Sequence, residues 1–320
     1  NDPRITASQR PAILRIAREL GYRTNPLVAA LMTARRARKG PDYKATLGFL
    51  KKHPPADAPW FSRVYGQLLA GARARALAQG YRIEEFNLAS ADLTPRRITE
   101  ILLHRGVHGL LVAPLHSMQE TIELDWSQFC TVAVGFSLHQ VAVSRVAHNH
   151  FNGFTLAAQH CRRLGHRRLG LVLQERVADK VGKRWVAAAL LDQSLHPVAD
   201  SIPPLLLRSG EEAAFNAWCL AHRPEVIIGV NLEEVPRWLA QLGWRMPQDV
   251  GIVSLDRRVS DRGIAGVDQD YARVGGNAVD AVVGMLHRNE RGLPESPSTV
   301  LCDGMWVNGR SLGVRAAASA

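Results

Sequence analysis

Three short constellations in this chain carry residue types that can do chemistry. Gly135-Phe-Ser-Leu-His139 has the outline of a nucleophile elbow, in which a serine on a sharp strand-to-helix turn attacks a carbonyl. His139 replaces the second glycine of that pattern, and Ser137 falls in a loop with no helix expected directly behind it, so acyl transfer is not supported. His148-Asn-His150 sets two imidazoles two residues apart, which on a strand turns both rings to one side, as zinc ligation would need. No third ligand follows at a recognisable spacing, which favours a polar pocket or an interface for this pair. Asp256-Arg257-Arg258 follows the apolar run Gly251 to Leu255. It is either a surface ion-pair cluster or a carboxylate at the carboxyl edge of a sheet, where open α/β folds hold ligands, and spacing leaves both open. Neither GxGxxG nor GxxxxGK[ST] follows a predicted strand, so the phosphate loops of dinucleotide and nucleoside-triphosphate chemistry are lacking. The expectation is binding rather than turnover, with no catalytic residue, metal ligand or cofactor.

The elements that must position such residues alternate along the chain. Short apolar runs predict strands near 45–50, 81–86, 107–112, 131–135, 168–173, 204–207, 225–229 and 250–254. Amphipathic spacing predicts helices near 61–79, 94–104, 151–164, 178–193, 211–222, 233–242 and 271–290. Strand-helix alternation of this kind builds parallel sheets covered by helices on both faces, and 320 residues suit two such sheets better than one. Ahead of them, Thr6-Ala-Ser-Gln9 reads as a capping box for a short helix with Ile13, Ile16, Ala17 and Leu20 on one face and Gly21 as its stop. Asn25-Pro26 then opens a second helical stretch through Leu27 to Thr33, followed by a charged linker from Arg35 to Gly40.

Charge is concentrated at the front. Residues 1–44 hold ten Lys or Arg against three acids, and so carry seven of the chain's eleven net positive charges. A basic leader ahead of a nearly balanced body suits contact with phosphates, whose neutralisation releases condensed counterions. Cys130, Cys161, Cys219 and Cys302 show no CxxC spacing, which suits reduced thiols and a cytoplasmic location. No apolar stretch approaches the roughly 20 residues of a membrane span, and Asn1 to Arg10 is not an export signal.

Several of these segments together resemble the LacI/GalR family of transcription repressors. At the front they are Asn1-Asp-Pro-Arg-Ile-Thr, Arg10, Ala17-Arg-Glu-Leu-Gly-Tyr22 and Asn25-Pro-Leu. Further on, in family order and spacing, come Gly80-Tyr81, Val107-His-Gly-Leu-Leu-Val-Ala-Pro114, Leu164-Gly-His-Arg-Arg168, Met246-Pro-Gln-Asp-Val250 and Ser254-Leu-Asp256. The resemblance implies an α/β fold of two Rossmann-like subdomains with parallel sheets and three crossovers, as in type I periplasmic binding proteins. A remnant of a helix-turn-helix headpiece (1–24), whose first two helices would precede Asn1, and a hinge helix with linker (25–44) would lie ahead of it. The N-terminal subdomain would comprise 45–164 plus 270–301 and the C-terminal one 165–269 plus 302–315, with crossings near 164–168, 267–270 and 301–305.

Roles carry over by position. Leu31 matches the leucine that such repressors insert into the minor groove, where apolar wedges pry a base step open. Asn25, Leu27, Val28 and Ala30 would line that groove or the facing hinge helix, and Arg4, Arg10, Tyr22 and Arg35 would complete the DNA-facing set. Periodicity alone would also fit Leu27 and Leu31 as the apolar face of a short helix. For the effector, Trp60 and Phe61 fall where the family places stacking aromatics. Asn152, Arg184, Asn231 and Asp256 match polar effector-holding positions, and Phe136 stands in the same set. Asn149-His150 replaces the family's common Asp-Asn, Leu232 an Asp after Asn231, and Phe136-Ser137 an Asp-Arg pair, so a pocket less polar than the usual sugar site is expected.

The function expected is that of a DNA-binding regulator, a homodimer on a pseudo-palindromic operator duplex, whose affinity responds to a small molecule between the subdomains, a sugar or sugar-derived metabolite. The alternative from another class is a solute-binding receptor of the same fold without a DNA role, which would carry a signal peptide in place of the segment Thr6 to Arg38. An α/β enzyme is a third reading, against which the missing phosphate loop and nucleophile count.

Overall fold

The computed structural model describes residues 45–52, 59–89, 94–208, 211–258, 261 and 263–315, together with 11–12, 15–16 and 19, which are helical. The backbone alone is described at 59–62. Two six-stranded sheets organise the chain. The first contains β1 (Ala45–Lys51), β2 (Tyr81–Asn87), β3 (Gly109–Val112), β4 (Cys130–Val134), β5 (Ser144–His148) and β11 (Thr299–Cys302), in the order β11-β5-β4-β3-β1-β2. The second contains β6 (Leu169–Gln174), β7 (Leu205–Leu207), β8 (Val226–Gly229), β9 (Gly251–Ser254), β10 (Ala265–Asp268) and β12 (Met305–Val307), in the order β12-β10-β9-β8-β6-β7. Among the described residues every pairing is parallel except that of β10 with β12.

Helices cover both faces of each sheet, which is why β3, β4, β8 and β9 are buried along their whole length and read as unbroken apolar runs. In the first lobe α1 (Pro59–Ala78) and α8 (Tyr271–Arg288) pack on one face, and α2 (Pro95–His104) closes the other with Ile98 and Leu102. In the second lobe α3 (His150–Arg163), α4 (Glu175–Lys180) and α5 (Arg184–Ser194) take one face, and α6 (Glu212–His222) with α7 (Val235–Gln241) the other. Two glycines bring α1 and α8 together. A Cβ on Gly71 would lie 1.9 Å from the Ala272 carbonyl oxygen and one on Gly275 2.0 Å from that of Leu68, so only glycine permits this approach. Both helices then reach the space between the lobes.

The chain passes between the lobes at 148–150, 268–271 and 302–305. The first crossing corrects the sequence expectation of 164–168. Helix α3 buries Phe154, Ala157, Ala158 and Cys161 against Leu169, Leu171 and Trp185, and so belongs to the second lobe, because its apolar stripe completes that core. The single helix expected over 178–193 is two. Gly182 and Lys183 both have positive φ, 60° and 54°, and the chain turns between α4 and α5. Strands β5, β10, β11 and β12 were not anticipated from the sequence. No described helix is long and apolar enough to cross a membrane.

Candidate functional site

A cavity of about 450 Å³ lies between the lobes. Its walls come from the segments that leave the carboxyl ends of the parallel strands: 114–116 after β3, 134–137 after β4, 147–150 at the end of β5, 174–181 after β6, 230–233 after β8 and 256–258 after β9. In an open α/β sheet those ends face one edge, so two sheets set edge to edge enclose a site made from both. Helix α1 adds Val64, Tyr65 and Leu68, and the start of α8 adds Tyr271 and Val274. Asp270 caps α8 from a left-handed backbone conformation, its side chain accepting from the Arg273 N–H at 3.1 Å, which fixes where Tyr271 begins.

One wall is a hydrogen-bonded acidic patch. Asp256 is 8% exposed and bonded to the Tyr271 hydroxyl. Burial first, then the Asp256 charge, drives the Tyr271 phenol well above its ordinary pKa, so it stays a proton donor to that carboxylate. Asn231, at a φ of 53°, accepts at Oδ1 from Arg258 Nη2 at 2.9 Å, and Arg258 Nη1 pairs with Glu233 at 2.5 Å. Gln269 is anchored by donating to the Leu255 carbonyl at 2.8 Å. Such a set can both accept from and donate to ligand hydroxyls.

A second part of the wall, built from Phe136, His148, His150 and Trp185, is aromatic. The rings of His148 and His150 lie 5.1 Å apart, His150 is 4.6 Å from Trp185, and Phe136 is 5.9 Å from His150. Burial depresses His148 to about 4, against which nearby Asp303 and the Cys302 backbone pull weakly upward. Burial, then His148 and Arg184, hold His150 well below its ordinary range, so both imidazoles are neutral at pH 7. At the cavity's other reach, burial and Arg176 lower Lys180 to about 8, with Glu120 acting in the opposite direction.

Of the effector residues expected from the sequence, Phe136, Asn231 and Asp256 line the cavity. Arg184 stacks on the Phe136 ring at 3.6 Å from its centroid rather than forming the wall itself. Asn152 does not line the cavity; its backbone N–H is held by the Asn149 cap at 3.2 Å, and His150 takes the inward position. Trp60 and Phe61 lie on α1, and their side chains are outside the described residues. So are the DNA-facing Arg4, Arg10, Tyr22, Asn25, Leu27, Val28, Ala30, Leu31 and Arg35. Sequence reading did not single out Tyr65, Gln174, Arg176, Lys180, Trp185, Gln269 or Tyr271. Most of these follow a strand end or sit on helix faces that read as core, and only the β-to-α junction itself could have flagged them.

The elbow-like segment is not one. Ser137 Oγ accepts from the buried Leu115 N–H at 2.7 Å, and His139 Nδ1 lies 3.2 Å from the Ser137 carbonyl rather than its hydroxyl. Among the described residues no third His, Cys, Asp or Glu joins the His148–His150 pair in a group that could hold a metal ion.

Residues 158–312 match the periplasmic binding protein-like domain family. A curated relative, the NTD biosynthesis operon regulator NtdR of Bacillus subtilis (strain 168), is 22% identical over 273 residues, covering 81% of this chain and 77% of that protein. A LacI transcriptional regulator from a Rhodococcus species has the same fold at a TM-score of 0.62 and 16% identity, over 84% of this chain and 98% of its own. So has a LacI family transcriptional regulator from Enterococcus faecium with bound ribose, at a TM-score of 0.55 and 15% identity, over 85% of this chain and 100% of its own. The two-lobed α/β fold expected from the sequence is the one these solved structures have.

Proposed function

We propose that this LacI/GalR-like chain is a DNA-binding transcriptional regulator, a repressor, whose operator affinity is set by a small molecule, a sugar or sugar-derived metabolite, held between its two lobes. The observation that carries the reading is the interlobe cavity, walled by both lobes at once and lined by Phe136 from one and by Asn231 and Asp256 from the other. A ligand touching both walls stabilises one relative placement of the lobes over another, and only such a differential affinity can shift an equilibrium. The basic leader of residues 1–44 supplies the phosphate-binding charge. The regulator acts in the cytoplasm as a homodimer on a pseudo-palindromic duplex, with Leu31 and its neighbours at the minor groove.

The relatives support this reading, one being an operon regulator and another a LacI family regulator with ribose bound. The test is selection of duplexes from a random pool by the protein expressed from its complete reading frame. An enriched sequence with twofold symmetry, bound more weakly as salt rises, is the expected outcome. Enrichment of no sequence contradicts the reading and favours a solute receptor.

A further inference from the structure

Helix α5 carries two apolar faces. Trp185, Ala188 and Ala189 are buried and complete the core of the second lobe. On the outer face Leu190, Leu191, Leu195 and Val198 are 51%, 47%, 72% and 88% exposed. Ala187 and Ser194 are exposed with them, so the stripe runs at helical spacing through 187, 190, 191 and 194 and continues past the end of the helix. From 184 to 200 no exposed residue is charged. The one carboxylate within α5, Asp192, pairs with Arg162 of α3 at 2.5 Å, its side chain only 17% exposed. A helix that meets only water on its outer side carries charged and polar residues there, and this one does not.

Apolar residues scattered singly over a surface need no partner, whereas a contiguous patch marks a contact. The stripe leaves roughly 500 Å² of surface in water, as large as the biggest patch on a typical monomer, which is often functional. Two such patches set together bury about 1,000 Å², enough for a specific interface. The patch is separate from the cleft: α5 begins beside the cavity, which Trp185 lines, but none of Leu190, Leu191, Leu195 and Val198 lines it.

The order of residues along the stripe fits a second copy of this chain. In an antiparallel pair of helices about a twofold axis between positions 190 and 191, Leu190 meets the partner's Leu191 and Ala187 meets the partner's Ser194. Large side chains then fill the centre, and small ones on either side let the backbones approach. Because the axis exchanges these positions, the patch is complementary to itself, as a twofold contact requires. A stripe without charge also brings no like charges together when it meets its own copy. We propose that the outer face of α5, with the turn after it, is a contact between two copies of this chain packed antiparallel about that axis. The contact depends neither on the cleft ligand nor on DNA.

The test is sedimentation velocity over a micromolar concentration series. The parent assembles as concentration rises, and Leu191→Glu and Leu195→Glu each halve the mass reached. Each weakens the contact roughly 100-fold or more, as like charges set face to face across an interface do. Both positions are exposed, so circular dichroism stays as in the parent. Leu191→Cys gives a second measurement that needs no loss of assembly: the four native cysteines are buried, so a short bis-maleimide joins two chains through the new thiol. A parent that stays monomeric, which would give the stripe to a protein of another kind, overturns the proposal. So do glutamate variants that fold and keep the parent's mass, or a thiol at 191 that does not cross-link. Failure of duplex selection or of ligand binding leaves it standing.

Discussion

The Arg184 guanidinium of the second lobe rests on the Phe136 ring of the first, 3.6 Å from its centroid, and so joins the lobes beside the cavity that Phe136 lines. Gly182 and Lys183, both at positive φ, break what would otherwise be one helix, and Arg184 opens α5 directly after them. A cation over an aromatic face contributes about 0.5–2 kcal/mol. Phe136→Leu therefore lowers stability by about 1 kcal/mol in urea denaturation. Adding Arg184→Gln to the Phe136→Leu variant lowers it by much less than the same change does in the parent, the coupling expected of a pair.

Gly71→Ala and Gly275→Ala push the α1 and α8 backbones apart, since each new methyl meets a carbonyl oxygen at about 2 Å. Overpacking of this kind costs about 1–3 kcal/mol. The urea midpoint falls accordingly, and ligand affinity falls with it because Tyr65 and Tyr271 move with their helices.

Acid weakens the fold through His148. Its folded pKa, about 4, lies below the ordinary 6.5, so the unfolded chain takes up the proton first. The stability contribution is complete above pH 6.5, declines as pH falls through the interval to about 4, and amounts to about 3 kcal/mol over that window. Replacing His148 by Phe flattens the pH dependence of the urea midpoint between pH 6.5 and 4; an unchanged slope would show that the histidine does not titrate this way.

The alternation of strands and helices, and with it two parallel sheets, could be read from the sequence because fully buried strands such as Val226–Gly229 leave unbroken apolar runs. Strand Thr299–Cys302 could not, since three of its four residues are exposed at a sheet edge and carry no pattern. The first crossing was misplaced because the apolar face of α3 shows that a core lies beneath it but not which core. At the site, Asn231 and Asp256 stood out by their match to family positions, and Phe136 by standing in place of the family's residue there. Trp185 looked like one more apolar helix residue, because the absence of a partner for its indole N–H is a property of three-dimensional neighbours and not of spacing.

Leu31→Ala in the complete protein weakens operator binding roughly tenfold or more, as expected of a wedge that sustains an opened base step. Thermal shifts produced by cleft ligands stay as in the parent. Unaltered operator affinity by fluorescence anisotropy would remove Leu31 from the DNA-facing set.

Coupling between the cleft and DNA is tested most directly by fluorescence anisotropy of a selected operator duplex, titrated with the complete protein with and without the compound that most raises its melting temperature, in the parent and in Asp256→Asn. The account predicts a change in duplex affinity of about 5–150-fold in the parent, the usual size of such coupling, and little or none in Asp256→Asn, which still folds and still binds the duplex. The same duplex affinity with and without a compound that demonstrably occupies the parent's cleft would contradict it.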